Sequence, residues 1–226
     1  MVDVPSAVEA IVFDLDGVLV DSEIWWHEVR VTWAAARERV WTDDDTRAVM
    51  GANSRGWARI MRERLDLHPA EEPEIERAIV AGVVERYRHE GPPVIPGAIH
   101  AAQRLAARYP VAIASSAHAD VIRAALDETG LAATIPIAVS SDEVEHGKPA
   151  PDVYLEAARR LGVRPDRCLV VEDSLNGVRS AKAAGMFVVL VPNNYVPPAP
   201  GTAELADVTL ERLEQLHPRT ALRAAR

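Results

Sequence analysis

Several features that mark common protein classes are scarce in this sequence of 226 residues. It has one cysteine, Cys168, so no disulfide can form within the chain, and we expect a reducing compartment, the cytoplasm. No apolar run reaches the length of a membrane span, and the first residues have neither the basic nor the apolar region of a secretory signal. Positive charge is also scarce, since 34 acidic residues outnumber 25 Lys and Arg residues and leave a net charge of −9. We therefore expect neither nucleic acid nor a membrane as a partner.

Hydrophobic residues make up 48% of the sequence, which is ample for a core. Their spacing along the chain follows two different patterns. From residue 23 onward, apolar residues at helical spacing predict four helices, at 23–40, 43–50, 55–65 and 73–87. From residue 97 onward, predicted helices alternate with short apolar strands, at 111–114, 137–140, 168–171 and 187–191, and a last helix is predicted past Leu216. Such alternation is typical of a parallel sheet covered by helices on both faces. We predict an α/β fold: a Rossmann-like core of residues 1–20 and 94–226, with a small all-helical insertion, residues 21–93, after the first strand.

Two carboxylates follow the first predicted strand. The apolar run from Ile11 to Phe13 leads into Asp14, Leu15, Asp16 and the turn residue Gly17. Open α/β sheets bind ligands at the carboxyl ends of their strands, and two anions this close repel each other unless a cation joins them. A divalent cation is the simplest candidate. The alternative is an acidic turn that merely ends the strand, because Asp and Gly are common there.

Polar residues also follow later predicted strands. Ser115 and Ser116 come after the strand at 111–114, and the alternative for this segment is that Ser116 or His118 simply caps the next helix. Glu172 and Asp173 come after the strand at 168–171, where acidic residues also suit a helix start. Lys148 is one of only two lysines in a chain rich in arginine, which suggests that a compact point charge is needed at its position.

Together these motifs resemble those of the haloacid dehalogenase-like hydrolase superfamily, in its phosphatase and β-phosphoglucomutase-like branch. Asp14-Leu15-Asp16-Gly17 is similar to the first motif, Ser115 to the second, Lys148 to the third and Glu172-Asp173-Ser174 to the fourth. The resemblance implies that Asp14 is the phosphorylated nucleophile and that Asp16 is the general acid and base. It also implies that Ser115 and Lys148 are catalytic and bind the phosphoryl group. A Mg²⁺ ion is expected on Asp14, a backbone carbonyl at Asp16, and Asp173, with Glu172 binding it directly or acting through a neighbouring ligand.

The helical insertion resembles the cap that selects the substrate in this family. All five tryptophans lie in it, and Trp26 is expected near the entrance of the site. Similar β-phosphoglucomutases carry a Ser-Arg in the cap, where the Arg holds a second phosphate, so Arg55 is a candidate substrate residue. The alternative for Arg55 is a solvated side chain at a helix start. Those mutases also have a hinge histidine, and its place is taken here by Trp26, which counts against a mutase.

We therefore expect a Mg²⁺-dependent phosphatase that hydrolyses a small phosphate monoester, a sugar or polyol phosphate, through an aspartyl-phosphate. The expected substrate-binding residues are Ser115, Ser116, Lys148, Arg55 and Trp26. A phosphosugar mutase and a non-catalytic binding module are the alternatives. The expected partner is a small phosphorylated metabolite, and we expect a monomer, with a dimer as the open alternative.

Overall fold

A computed structural model describes residues 2–50, 52–193 and 197–218 of the chain. Its strands are β1 to β8 in chain order: Val2–Asp3, Ala10–Phe13, Val111–Ser115, Ile137–Ser140, Cys168–Glu172, Phe187–Leu190, Val208–Thr209 and Leu216–His217. Its α-helices are α1 to α9: Glu23–Ala35, Asp43–Val49, Ser54–Arg64, Glu72–Glu90, Ala98–Ala106, Ala119–Glu128, Asp152–Leu161, Leu175–Ala183 and Thr202–Leu205.

Six parallel strands form the main sheet in the order β4-β3-β2-β5-β6-β7. The order reverses at β2, because β3 and β4 lie on one side of it and β5 to β7 on the other. In the register of the sheet, Phe13 lies opposite Ile113 on one neighbour and Val171 on the other. The residues that follow these positions therefore meet at one edge of the sheet, at its topological switch point.

Both faces of the sheet are buried. Ile11 and Phe13 of β2 belong to one hydrophobic cluster, with α5 and α6, while Ala10 and Val12 belong to a second cluster, with α7 and α8. Alternate residues of a strand point to opposite faces, so a continuous apolar run such as Ala10–Phe13 suits a strand that is covered on both sides. This explains why the central strand β2 is apolar throughout.

The helical insertion leaves and rejoins the sheet domain at adjacent points. Val20 forms an antiparallel bridge with Val94, the Asp21 N–H donates to the Pro93 carbonyl, and the Ile95 N–H donates to the Leu19 carbonyl. Between these points lie α1 to α4, which pack on one another. The insertion also contacts the rest of the molecule through α4, which packs on α6, and through the Ser54 N–H, which donates to the Asp142 carboxylate at 3.1 Å.

The predicted α/β fold with a parallel sheet is confirmed. The main differences lie at element ends and in very short strands. The first helix of the insertion stops at Ala35 instead of residue 40, because Glu38 takes a left-handed φ of 57° that no α-helix continues. The helix predicted past Leu216 is not found at His217, which belongs to β8, and residues 219–226 lie outside the described part of the chain. No helix among the described residues is long and apolar enough to cross a membrane.

Candidate active site

The strand ends of β2, β3 and β5 bring the sequence-predicted polar residues together. Asp14 directly follows β2, while Ser115 and Glu172 are the last residues of β3 and β5. Lys148 reaches them from the loop before α7. Its Nζ donates to Asp14 Oδ1 at 2.6 Å and to Glu172 Oε1 at 2.6 Å, and the lysine side chain is only 4% exposed. The nucleophile candidate is thus held by a buried ammonium group.

Glu172 holds this lysine in place. Its Oε1 also accepts a hydrogen bond from the Tyr154 hydroxyl at 2.8 Å, and its Oε2 accepts from the N–H groups of Asp173 and Ser174 at 2.9 Å and from the Ser174 hydroxyl at 3.0 Å. Burial acts to raise the pKa of Glu172, but the Lys148 charge and these hydrogen bonds outweigh it and hold the pKa below its usual value. Glu172 is therefore a fully bonded, ionised anchor.

A glycine at 177 is needed for this arrangement. A Cβ at Gly177, in the first turn of α8, would lie 1.6 Å from Glu172 Oε1. The helix start is capped instead by Ser174, whose Oγ accepts from the Gly177 N–H at 3.1 Å. Glu172 and Asp173 therefore do not serve as the side-chain cap of α8.

The three aspartates of the site, Asp14, Asp16 and Asp173, all have raised pKa values. Burial raises the pKa of Asp14 to about 7; the Lys148 charge acts to lower this pKa, and the Glu172 charge acts to raise it. Burial also raises the pKa of Asp16 to about 7, although its carboxylate accepts a short hydrogen bond from the Ser22 hydroxyl. The pKa of Asp173 is raised well above its usual value by burial and by the nearby charges of Glu172 and Asp14. Among the described residues, Lys148 is the one cation that forms ion pairs with these site carboxylates, and a bound divalent ion would balance the remaining charge.

Three carboxylates of the site lie close enough together to hold a metal ion. Asp14, Glu172 and Asp173 each offer a carboxylate oxygen, and the three oxygens lie within 4.8 Å of one another. Among the described residues no hydrogen-bond donor reaches the Asp173 carboxylate, which leaves it available as a ligand. Gly17, with a φ of 84°, makes room for it, since a Cβ there would lie 2.0 Å from Asp173 Oδ2. Carboxylate oxygens are the ligands that Mg²⁺ prefers.

The hydroxyl groups of the second predicted motif face the same space. Ser115 Oγ accepts a hydrogen bond from the Ala117 N–H at 3.0 Å, so the hydroxyl hydrogen remains available for a ligand. The His118 side chain caps α6, where it accepts from the Asp120 N–H at 3.2 Å. Because His118 supplies the cap, Ser115 and Ser116 are not needed for it.

A cavity of about 370 Å³ lies between this edge of the sheet and the insertion. Of the predicted site residues, its lining includes Asp14, Asp16, Ser115, Ser116, Lys148, Asp173 and Trp26. Two predicted residues are not in the lining: Glu172, which is buried behind Lys148, and Arg55, which is exposed to solvent on α3. The lining also contains residues that the sequence interpretation did not single out, above all Glu23, Arg30 and Trp57.

Comparison with known proteins identifies the family of the chain. The model of the haloacid dehalogenase-like hydrolase family matches residues 8–185, and the chain belongs to this family. It is 32% identical over 206 residues to the protein CbbY of Rhodobacter capsulatus, covering 83% of this chain and 87% of the relative. It is 34% identical over 211 residues to hexitol phosphatase A of Escherichia coli K12, covering 90% of this chain and 91% of the relative.

Two further matches agree with this assignment. A phosphorylated carbohydrates phosphatase of Thermotoga maritima is 32% identical over 180 residues, covering 79% of this chain and 82% of the relative. The crystal structure of CbbY from Rhodobacter sphaeroides in complex with phosphate superimposes with a TM-score of 0.78 at 28% identity, covering 92% of this chain and 96% of that one. The chain is therefore an enzyme of the phosphatase type, a phosphoric monoester hydrolase.

Proposed function

We propose that the enzyme is a Mg²⁺-dependent phosphatase that hydrolyses small phosphate monoesters through a phosphorylated Asp14. One observation carries the proposal: the Lys148 ammonium bridges Asp14 and Glu172 at 2.6 Å each, beside the Asp173 carboxylate. This arrangement orients one carboxylate as a nucleophile while it places positive charge where a phosphoryl group must bind.

In the first step an Asp14 oxygen attacks phosphorus, and the bond from phosphorus to the ester oxygen breaks. Asp16 gives its proton to the leaving oxygen, and burial favours its protonated form by raising its pKa to about 7. The Lys148 ammonium at 2.6 Å favours the ionised form of Asp14 instead. In the second step Asp16 takes a proton from water, the water oxygen bonds to phosphorus, and the bond to Asp14 breaks. Ser115 and Lys148 hold phosphoryl oxygens throughout.

When bound, Mg²⁺ supplies positive charge to the transferring phosphoryl group. Asp14, Asp173 and the backbone carbonyl of Asp16 would hold the ion. Both oxygens of Glu172 already accept hydrogen bonds from Lys148, Tyr154, Asp173 and Ser174, which favours an indirect role for this residue. Of the two roles left open for Glu172, we therefore propose that it positions Lys148.

The substrate we propose is a phosphorylated sugar or a related polyhydroxy compound, bound in the cavity against Ser116 and Trp26. The names of the relatives support this class, since they describe phosphatases of phosphorylated carbohydrates and of hexitols. Arg55 remains a candidate only if the insertion moves, because it is exposed and outside the cavity. Action in the cytoplasm as a monomer stays a prediction.

Asp14→Asn tests the mechanism. The substitution keeps the shape of the side chain but removes the nucleophilic charge, so we expect kcat with p-nitrophenyl phosphate and Mg²⁺ to fall on the order of 10⁴-fold or more. Asp127→Asn, on the exposed face of α6, is the matched control and should keep full activity. Turnover by Asp14→Asn at the native rate would show that no aspartyl-phosphate forms.

A further inference from the structure

Arg30 is a buried arginine in the wall of the active-site cavity. It lies on α1 and is 5% exposed. It belongs to none of the four motifs at the edge of the sheet. Its guanidinium carbon lies 5.2 Å from the ring centroid of Trp26 and 5.3 Å from that of Trp57. These two tryptophans also line the cavity, so the three side chains form one wall of it on the side of the insertion.

The guanidinium has no hydrogen-bond partner within the described residues. Its Nε is buried without an acceptor, and no carboxylate of the described chain comes within 4.0 Å to form an ion pair. The tryptophan rings offset part of the cost of burying the charge, but ring faces do not replace acceptors for all of its N–H groups. Buried arginines are rarely left unpaired, because an unsatisfied buried charge is costly. A ligand in the cavity would supply the missing acceptor.

Glu23 is an acidic residue of the same helix as Arg30. It lies seven residues, about two helical turns, before Arg30 on α1 and also lines the cavity. The charge of Asp14 acts on Glu23, and the charge of Glu23 acts on Arg30. Burial lowers the pKa of Arg30 only to about 10, so the side chain stays charged at neutral pH. The cavity that contains the nucleophile is thus also lined by an acceptor, Glu23, and by a cation, Arg30.

We propose that Arg30 binds a second oxyanion, a carboxylate or a phosphate, at the end of the leaving group remote from the scissile ester. The planar fork of a guanidinium matches either oxyanion, and such charge-assisted bonds are roughly twice as strong as those to a neutral hydroxyl. Glu23 would accept a hydroxyl in the middle of the same molecule. The preferred substrate is thus a phosphorylated sugar acid or a sugar bisphosphate, and a neutral polyol phosphate is a poorer one. This inference rests on the proposed phosphatase function.

Three ligands that share one carbon frame test it. Glucitol 6-phosphate, 6-phosphogluconate and glucitol 1,6-bisphosphate differ only in the far end, which is a CH₂OH group, a carboxylate or a phosphate. Their Kd values are measured by calorimetry with Mg²⁺ in the Asp14→Asn protein, which removes turnover. We expect at least one of the two anionic ends to bind on the order of 10- to 100-fold more tightly than CH₂OH, and the tighter one names the oxyanion.

Arg30→Gln, introduced into the Asp14→Asn protein, should abolish the difference in Kd between the anionic ligands and glucitol 6-phosphate. The Kd of glucitol 6-phosphate itself should stay within a few-fold of its value in the Asp14→Asn protein. Arg30→Lys, which keeps the charge without the fork, should restore part of the difference. Arg59→Gln, an exposed arginine of α3, is the matched control and should change nothing. Circular dichroism and thermal unfolding check that each variant is folded. If Arg30→Gln does not fold, Arg30→Lys is used in its place, and a partial loss of the preference is the expected result.

Equal Kd values for the three ligands, or a preference that survives Arg30→Gln, would overturn the proposal. The phosphatase function is judged separately, by p-nitrophenyl phosphate turnover in the protein that retains Asp14. A protein that hydrolyses this ester but does not distinguish the three ligands keeps its proposed function and loses only the role of Arg30.

Discussion

Tyr154 supports the lysine that holds the nucleophile. Its hydroxyl donates to Glu172 Oε1, and Lys148 Nζ lies 4.9 Å from the centroid of its ring. The side chain is buried, and its pKa is raised well above the usual value by burial and by the Glu172 charge, so the hydroxyl keeps its proton and remains a donor. Tyr154 is thus a positioning residue that does not touch the phosphate.

Tyr154→Phe should lower kcat by about 10-fold or less with little change in KM. The ring still packs against Lys148, but Glu172 loses one of its donors, a loss of about 1 kcal/mol for a typical hydrogen bond. Steady-state kinetics and urea unfolding measure the two effects. A KM that rises while kcat stays constant would place Tyr154 in substrate binding instead.

The site residues differ in how well the sequence indicates them. Asp14, Ser115 and Glu172 could be found because each ends a short apolar run, and parallel strands bring such ends together. Arg30 could not be found in this way. The predicted first helix shows one apolar stripe through Trp25, Val29 and Trp33, and Arg30 lies on the neighbouring stripe with Trp26. Whether that stripe faces solvent or a cavity depends on how the helix packs, which its own residues do not determine.

At the scale of whole elements, most helices and the longer strands were predicted to within a few residues. The first helix ends five residues earlier than predicted, and the short helix α9 and the shortest strands were missed. β1 and β8 are two residues each and pair with each other across nearly the whole chain. Two residues carry no periodicity, so only the tertiary contact makes them strands. β7 was not predicted for the same reason: it also has only two residues, and its pairing with β6 makes it a strand.

The insertion is expected to move as a body about the segments 18–22 and 91–97, a prediction that tryptophan fluorescence can test. All five tryptophans lie in the insertion, and two of them line the cavity. Closure over a phosphate mimic should exclude water from that wall, so we expect the emission to change when Mg²⁺ and beryllium fluoride are added together.

Mg²⁺ alone and fluoride alone serve as controls for this measurement, and Trp26→Phe should remove a large part of the change. An emission spectrum that is identical with and without the mimic would argue against closure. The paired backbone at Val20 and Val94 favours a defined pivot, because it fixes where the moving segment begins and ends.

For the molecule as a whole, we predict hydrolysis in preference to phosphosugar transfer. A mutase must keep its phosphorylated aspartate from water while a second phosphate is bound under the cap. Arg55 is exposed, so Arg30 is the arginine of the cavity wall that could hold that phosphate. The hinge histidine of similar mutases, however, is replaced here by Trp26. Water is therefore the expected acceptor of the phosphoryl group.

The assay supplies β-glucose 1-phosphate with catalytic glucose 1,6-bisphosphate and follows free phosphate and glucose 6-phosphate together. We expect any turnover of these sugars to release phosphate and to form little glucose 6-phosphate. Rapid isomerisation with little phosphate release would show that the enzyme is a mutase.

The central place of β2 has a consequence for synthesis on the ribosome. β2 is made early, but its neighbours β3 and β5 begin only at Val111 and Cys168. The helices of the insertion emerge between them and pack mostly on one another, so they can assemble before β3 and β5 exist. The nascent chain therefore carries an apolar, unpaired strand while its helices assemble, the kind of exposed edge that chaperones protect. Asp14 is the first catalytic group to be translated, and it gains its lysine and its glutamate only after most of the protein exists.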